Sequence, residues 1–166
     1  MLRMEVLARS AEACFSPPAR LGPRPRTPLA LPHIQLDQWP PTEVAEKLIE
    51  RCLSLADVRS KQSRMASPKS RALWLPDRCA GGPRDAFIDD HEFCHLHPLP
   101  EGSIHLTLPN PLRDQIVELG WAEQHPVARA GVMPNTLVLV YAPRDRTELA
   151  IAFHLIWSSC QFARGA

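Results

Sequence analysis

The run EFCHLHPLPEGSIHLTL, residues 92–108, holds two stretches of alternating character on either side of a Pro/Gly turn. Successive side chains of an extended strand point to opposite faces, so this period of two predicts a β-hairpin. Symmetric closure of the five-residue loop from Pro98 to Gly102 sets His97 opposite Ser103 and His95 opposite His105, with facing Cβ atoms roughly 5 Å apart. Cys94, Leu96, Ile104, Leu106 and Leu108 then share the other face. One side of the hairpin is apolar core, and the other is a strip of His95, His97, Ser103, His105 and Thr107.

Outward from the hairpin, SRALWLP (70–76) and AFID (86–89) read as further antiparallel strands, and the β-branched run TLVLVY (136–141) reads as a buried one. TEVAEKLIERCLSL (42–55) places Val44, Ala45, Leu48, Ile49, Cys52 and Leu53 on one helical stripe. Asn110 as N-cap, Pro111 in the first turn and Gly120 just past the end bound a short helix carrying Leu112, Ile116 and Leu119. Asp145 with Glu148 makes a capping box for a last helix expected to bury Leu149, Ala152, Phe153, Ile156, Trp157 and Cys160. The order predicts an α+β fold: one antiparallel sheet with helices packed on one face, in a single domain.

The chain has 166 residues with 19 Lys+Arg against 18 Asp+Glu. A net charge of +1 gives no electrostatic drive toward nucleic acid or an anionic membrane, so neither is expected as a partner. Eight of the 18 prolines fall between Pro17 and Pro41, where fixed φ and missing amide donors disfavour helix and central strand. Residues 1–20 are therefore expected as a disordered leader, 21–40 as an extended strap and 41–164 as the globular domain. Leu29, Leu31, Ile34 and Leu36 are the candidate anchors of that strap. The five cysteines form no CxxC pair, which points away from a disulfide framework or zinc knuckle and toward a reducing compartment. The N-terminal apolar patch is interrupted by Arg3, Glu5, Arg9 and Glu12, and no stretch approaches a membrane span. A cytoplasmic protein is expected.

Five of the seven histidines, His91, His95, His97, His105 and His125, lie within 35 residues. Three interpretations of the strip stand side by side. His95, His97 and His105 can bind a metal ion, and His95-x-His97 followed by Glu101 is similar to the metal signature of cupins, though its flanking glycines are missing. A facing pair of imidazoles keeps one ring neutral near pH 7 and available as a base. The strip can also be a plain solvated strand face. Further along, Trp121, His125, Tyr141 and Arg144 place an aromatic wall, an imidazole and a guanidinium near strand ends, a set suited to a planar anionic or enolizable ligand. Nucleophile elbow, P-loop and dinucleotide fingerprint are all missing from the sequence, and Gly81-Gly82 is a turn.

The run EFCHLHPLPEGSIHLTLPNPLRDQIVELGWAEQHPVA, followed by LVYAPRDRTELAIAFHLIWSSCQFARG, resembles the bacterial and fungal luciferase-domain family. The shared pattern is an H-x-H, a small residue before L/I-H-L, then G-W-x-x-x-H-P, and Y-A-P-R ahead of an acidic helix start. The strap GPRPRTPLALPHIQLDQ and SRALWLP resemble the bacterial branch, which extends the likeness to most of the chain. The resemblance implies an oxidation by O2 without a redox cofactor, since the fungal enzymes oxidise a hydroxylated pyrone through a peroxide that loses CO2 and emits light. His95, His97, His105, Trp121, His125, Tyr141 and Arg144 are the positions that match the pattern. They imply a base, His95 or His105, and an anion clamp, Arg144, with Trp121, Tyr141 and Ser103 against the substrate. The membrane-anchor helix of the fungal enzymes has no counterpart here, so a soluble protein is expected. The function expected is a cofactor-independent oxygenase, or a related enzyme, acting on a small planar enolizable molecule, with O2 as co-substrate and no metal required. A non-catalytic small-molecule or partner-binding module and a His-ligated metal enzyme are the alternatives.

Overall fold

The computed structural model describes residues 15–166. Along the chain run helix α1 (Thr42–Leu53), strands β1 (Arg59–Gln62), β2 (Arg71–Trp74), β3 (Glu92–Leu96) and β4 (Ile104–Thr107), then helix α2 (Asn110–Glu118). Strand β5 (Ala122–Gln124), the short helix α3 (Pro126–Arg129), strand β6 (Leu137–Val140) and helix α4 (Arg146–Arg164) complete it. The strands form one antiparallel sheet in the order β1-β2-β3-β4-β6-β5, the α+β architecture that the sequence predicts.

The hairpin adopts the expected register: Cys94 faces Leu106, His95 faces His105 and Leu96 faces Ile104. His97 N–H donates to Ser103 O at 2.9 Å and closes the loop. Cys94, Leu96, Ile104, Leu106 and Leu108 are buried with Val44, Leu48, Ile116, Leu149, Leu155 and Ile156 from α1, α2 and α4 in one core. Each such aliphatic side chain stabilises the fold by roughly 1.5–3 kcal/mol relative to its exposed state. Helix α2 ends in a Schellman motif: Gly120 has φ +83°, Gly120 N–H donates to Val117 O and Trp121 N–H to Ile116 O. A left-handed residue here suits glycine, and the reversal feeds directly into β5.

Several boundaries differ from expectation. AFID is not a strand: Arg84–Ala86 is a 3-10 turn, and only an isolated bridge from Asp89 to Glu92 follows. The segment is stapled instead by Thr107 Oγ1 donating to Ala86 O at 2.8 Å. Strand β1, RSKQ, carries no apolar alternation because all four residues are exposed on a sheet edge. Its Arg and Lys side chains suit an edge that must not pair with other chains. Asn110 stands inside α2, with Pro109 at the cap. On α4 the fully buried positions are Leu155, Ile156, Ser159 and Ala163, whereas Phe153 and Trp157 are half-buried.

The Pro-rich segment lies on the body as a strap from Phe15 onward. The leader expected over residues 1–20 falls mostly outside the described residues, and within 15–20 both Pro17 and Arg20 are buried. The strap's anchors are polar. Gln35, 1% exposed, accepts from Ala142 N–H at 2.9 Å and donates from its amide to Asp37 O and Gln38 O. Arg24 donates to the carbonyls of Ala122 and Val117. Leu29, Leu31 and Leu36 remain exposed, because an extended proline-rich chain without its own ladder is held through side-chain and carbonyl hydrogen bonds. Among the described residues no helix is long and apolar enough to cross a membrane, and the four cysteines there are free thiols.

Candidate functional site

The face of the sheet opposite the helices carries the histidines. Strict alternation along β3 would turn Glu92 to the same side as Cys94, into the apolar core. The pairing with β2 shifts by one residue: Leu73 faces Cys94 and Trp74 faces Glu92, leaving Phe93 unopposed. This bulge lets Phe93 and Cys94 both enter the core and brings Glu92, 0% exposed, to the histidine side.

The result is a file of hydrogen bonds. Ser63 Oγ donates to Glu92 at 2.9 Å, Glu92 Oε1 lies 2.6 Å from His95 Nδ1, and His95 Nε2 lies 2.9 Å from His105 Nδ1. An ionised carboxylate only accepts, so His95 carries its proton on Nδ1 and its Nε2 accepts from His105 Nδ1–H. That leaves His105 Nε2 as a bare lone pair, buried and without a partner. Burial, reinforced by the neighbouring His95 and His97, drives the His105 pKa well below the ordinary imidazole range. Burial also lowers that of His95, against the opposing pull of Glu92.

A second carboxylate holds a histidine from the strap. His33 Nε2 lies 2.6 Å from Glu123 Oε1, and its Nδ1 is buried without a partner. Glu123 also accepts from Thr27 Oγ1 at 2.6 Å and from the Tyr141 hydroxyl at 2.8 Å. Burial alone would raise the Glu123 pKa, but these three hydrogen bonds outweigh it and hold the carboxyl at about 2. Burial, together with the Glu123 charge, pushes the Tyr141 phenol up to about 12. A third pair is His97 with Glu101: Nδ1 is 3.0 Å from Oε2, but off the line of a hydrogen bond, so both ring nitrogens of His97 stay unengaged. His125 caps α3, its Nδ1 accepting from Val127 N–H at 3.3 Å. Burial and the adjacent His33 lower its pKa to about 4.

His33, His95, His97, His105 and His125 line one cavity of about 470 Å³, within the range of small-molecule sites. Ile88, Met133 and Leu137 form apolar walls, and the exposed Leu31, Met65 and Val132 stand at the mouth. The lining contains no Lys, Arg, Asp or Glu. The rings contact one another edge to face, with centroids 4.7 Å apart for His105 and His125 and 4.8 Å for His97 and His105.

Four of the positions singled out in the sequence, His95, His97, His105 and His125, thus meet at one cavity. The others lie elsewhere. Arg144 grips Glu148, with Nε 2.9 Å from Oε1, and donates to Leu21 O at 2.8 Å. Its guanidinium fastens the strap to the start of α4. Trp121 is core, its indole N–H donating to Pro18 O at 2.7 Å. Tyr141 reaches the site only through Glu123, and Ser103 is fully buried but does not line the cavity. His91 lies outside it, near Asp77 and Asp90. Sequence reasoning missed His33 and Glu92, and it paired neither Glu101 nor Glu123 with a particular ring. The one signal for His33 was its place two residues before Gln35, a polar alternation within an otherwise apolar and proline-rich strap.

A small α+β domain with a histidine-lined cavity on the sheet face opposite the helices is the class that fold and site define. The family model for the Luciferase domain matches residues 90–159, from the turn before β3 into α4, and over that stretch the chain is similar to the luciferase-domain family. It is 27% identical over 157 residues to luciferases of Armillaria ostoyae and Armillaria mellea, with 86% of this chain and 59% of each relative covered. A luciferase of Neonothopanus nambi is 29% identical over 70 residues, covering 41% of this chain and 26% of the relative. The chain therefore spans about three fifths of the Armillaria relatives. No solved structure matches.

Proposed function

We propose that the cavity binds a small, flat, enolizable molecule and that His97 removes its acidic proton, the first step of an oxygenation that uses O2 directly. The observation that carries this is the set of three imidazole–carboxylate pairs, Glu92–His95, Glu123–His33 and Glu101–His97, around one 470 Å³ cavity. Such pairs orient a ring and stabilise the imidazolium that forms when it accepts a proton. Both nitrogens of His95 are already engaged, and His105 holds a proton poorly. At His97 both ring nitrogens are unengaged, and Glu101 stands 3.0 Å away. The substrate's C–H electron pair stays behind as an enolate, which forms a carbon–oxygen bond to O2. The carbon is oxidised, O2 is reduced to the peroxide level, and a proton completes a hydroperoxide. The likeness to luciferases supports the O2 step.

Oxygen uptake with a panel of hydroxypyrones and polyphenols tests this. His97→Ala should lower kcat by roughly 10²–10⁴-fold while ligand binding persists, and Glu101→Gln should give a smaller loss in kcat. A ligand that binds without being consumed, or rates indifferent to both substitutions, overturns the reading and leaves a binding module.

A further inference from the structure

The proposed enolate needs a positive charge beside it, yet the cavity lining contains no Lys or Arg, and Arg144 is committed to Glu148 and Leu21. What converges there instead is lone pairs. His105 Nε2 and His33 Nδ1 are both buried and without a partner. In each ring the other nitrogen is fixed from behind: His33 Nε2 by Glu123, and His105 Nδ1 by His95, which Glu92 holds in turn. Carboxylates that orient imidazoles in this way are the usual outer support of metal-binding histidines. His125 completes a set, since one ring nitrogen from each of His33, His105 and His125 lies within 4.8 Å of the others. Nitrogens around a tetrahedral ion at about 2.1 Å stand about 3.4 Å apart. The rings need to close by little more than an ångström, and the one hydrogen bond that His125 makes through its ring is the long 3.3 Å contact of Nδ1 with Val127 N–H.

We propose that His33, His105 and His125 bind one divalent transition-metal ion of the zinc type, leaving a coordination position open to the cavity. Three imidazole ligands with an open fourth position are the pattern of catalytic rather than structural sites, and imidazole suits Zn, Co, Ni and Cu. A second close set, His95, His97 and His105, is the weaker choice because an ion there must displace the hydrogen bond from His105 to His95. The ion's role as clamp for the substrate oxygen rests on the function proposed above; the binding site itself does not. His97 lies outside the triad and keeps its place as base.

The test is titration of chelator-stripped protein with Co2+, followed by visible absorption and calorimetry, with Zn2+ as competitor. One equivalent should bind with a tetrahedral spectrum. His33→Ala and His125→Ala should abolish that spectrum, Glu123→Gln should weaken affinity 10–100-fold, and His97→Ala should leave it unchanged. Circular dichroism and melting of each metal-free variant check folding. No stoichiometric uptake by the parent protein overturns the site, and so does binding lost in His97→Ala but kept in His33→Ala. Metal binding without oxygen consumption would sink the oxygenase and spare the site. Undiminished consumption by stripped protein would overturn the clamp role.

Discussion

Arg144→Ala separates a structural guanidinium from a catalytic one. Glu148 has a side chain only 8% exposed and accepts from Arg144 Nε and Arg144 N–H, each at 2.9 Å. Truncation keeps the backbone donor but removes the guanidinium, and it releases Leu21 O, which Arg144 holds at 2.8 Å. Hydrogen bonds to charged groups contribute about 1.5–3 kcal/mol, and a nearly buried carboxylate that loses its partner costs more than an exposed one. Arg20 Nε, 3.9 Å from Glu148 Oε1, replaces part of the lost charge, and the guanidinium is itself a third exposed. The net cost should be about 2 kcal/mol, a fall of about 4–8 °C in Tm for a chain of this size. Thermal melting read beside Co2+ affinity and oxygen uptake provides the assay. Cavity functions should stay within about twofold of the parent at a temperature where both proteins are folded. If Tm moves by less than about 1 °C while oxygen uptake collapses, the guanidinium acts on the substrate and its structural assignment is wrong.

Gly82→Ala should destabilise by about 2 kcal/mol or more in urea unfolding, since a Cβ there would overlap Phe162 O and stand 2.8 Å from Ala163 O at the end of α4; an unchanged midpoint would contradict that packing. In chelator-treated protein, stability should fall with acid. His125 has a folded pKa of about 4 against about 6.5 unfolded, so its contribution is fully present above pH 6.5. It is lost as pH drops toward 4, because the unfolded chain binds a proton that the folded one refuses. The shift corresponds to about 3 kcal/mol, trimmed to about 2 by solvent at the cavity mouth, and burial of His95 and His105 acts in the same direction. Urea midpoints from pH 7.5 to 4.5 should decline, and less steeply in His125→Gln; a flat profile would count against neutral buried imidazoles.

Much of the fold was legible in residues that act locally. Period two and a five-residue loop fix which faces of β3 and β4 meet, so the pairing of His95 with His105 follows from the chain alone. The Asp145 cap and the Gly120 stop are equally local, since each satisfies backbone groups within a turn of itself. Where apolar patterning fails, so does the reading. Strand β1 is all exposed, and AFID has the composition of a strand without a partner to pair with.

The site divides along the same line. The sequence by itself determined the β3–β4 hairpin, strands β2 and β6, the helical cover and the strip holding His95, His97 and His105. Only the tertiary structure decided what those rings touch. His33 meets Glu123 across 90 residues, Arg144 meets Leu21 across 123, and the bulge that brings Glu92 to His95 exists only because β2 pairs with β3 out of step. Hydrogen-bond partners of a buried side chain are chosen by geometry in three dimensions, whereas alternation along a strand records only which face that side chain occupies.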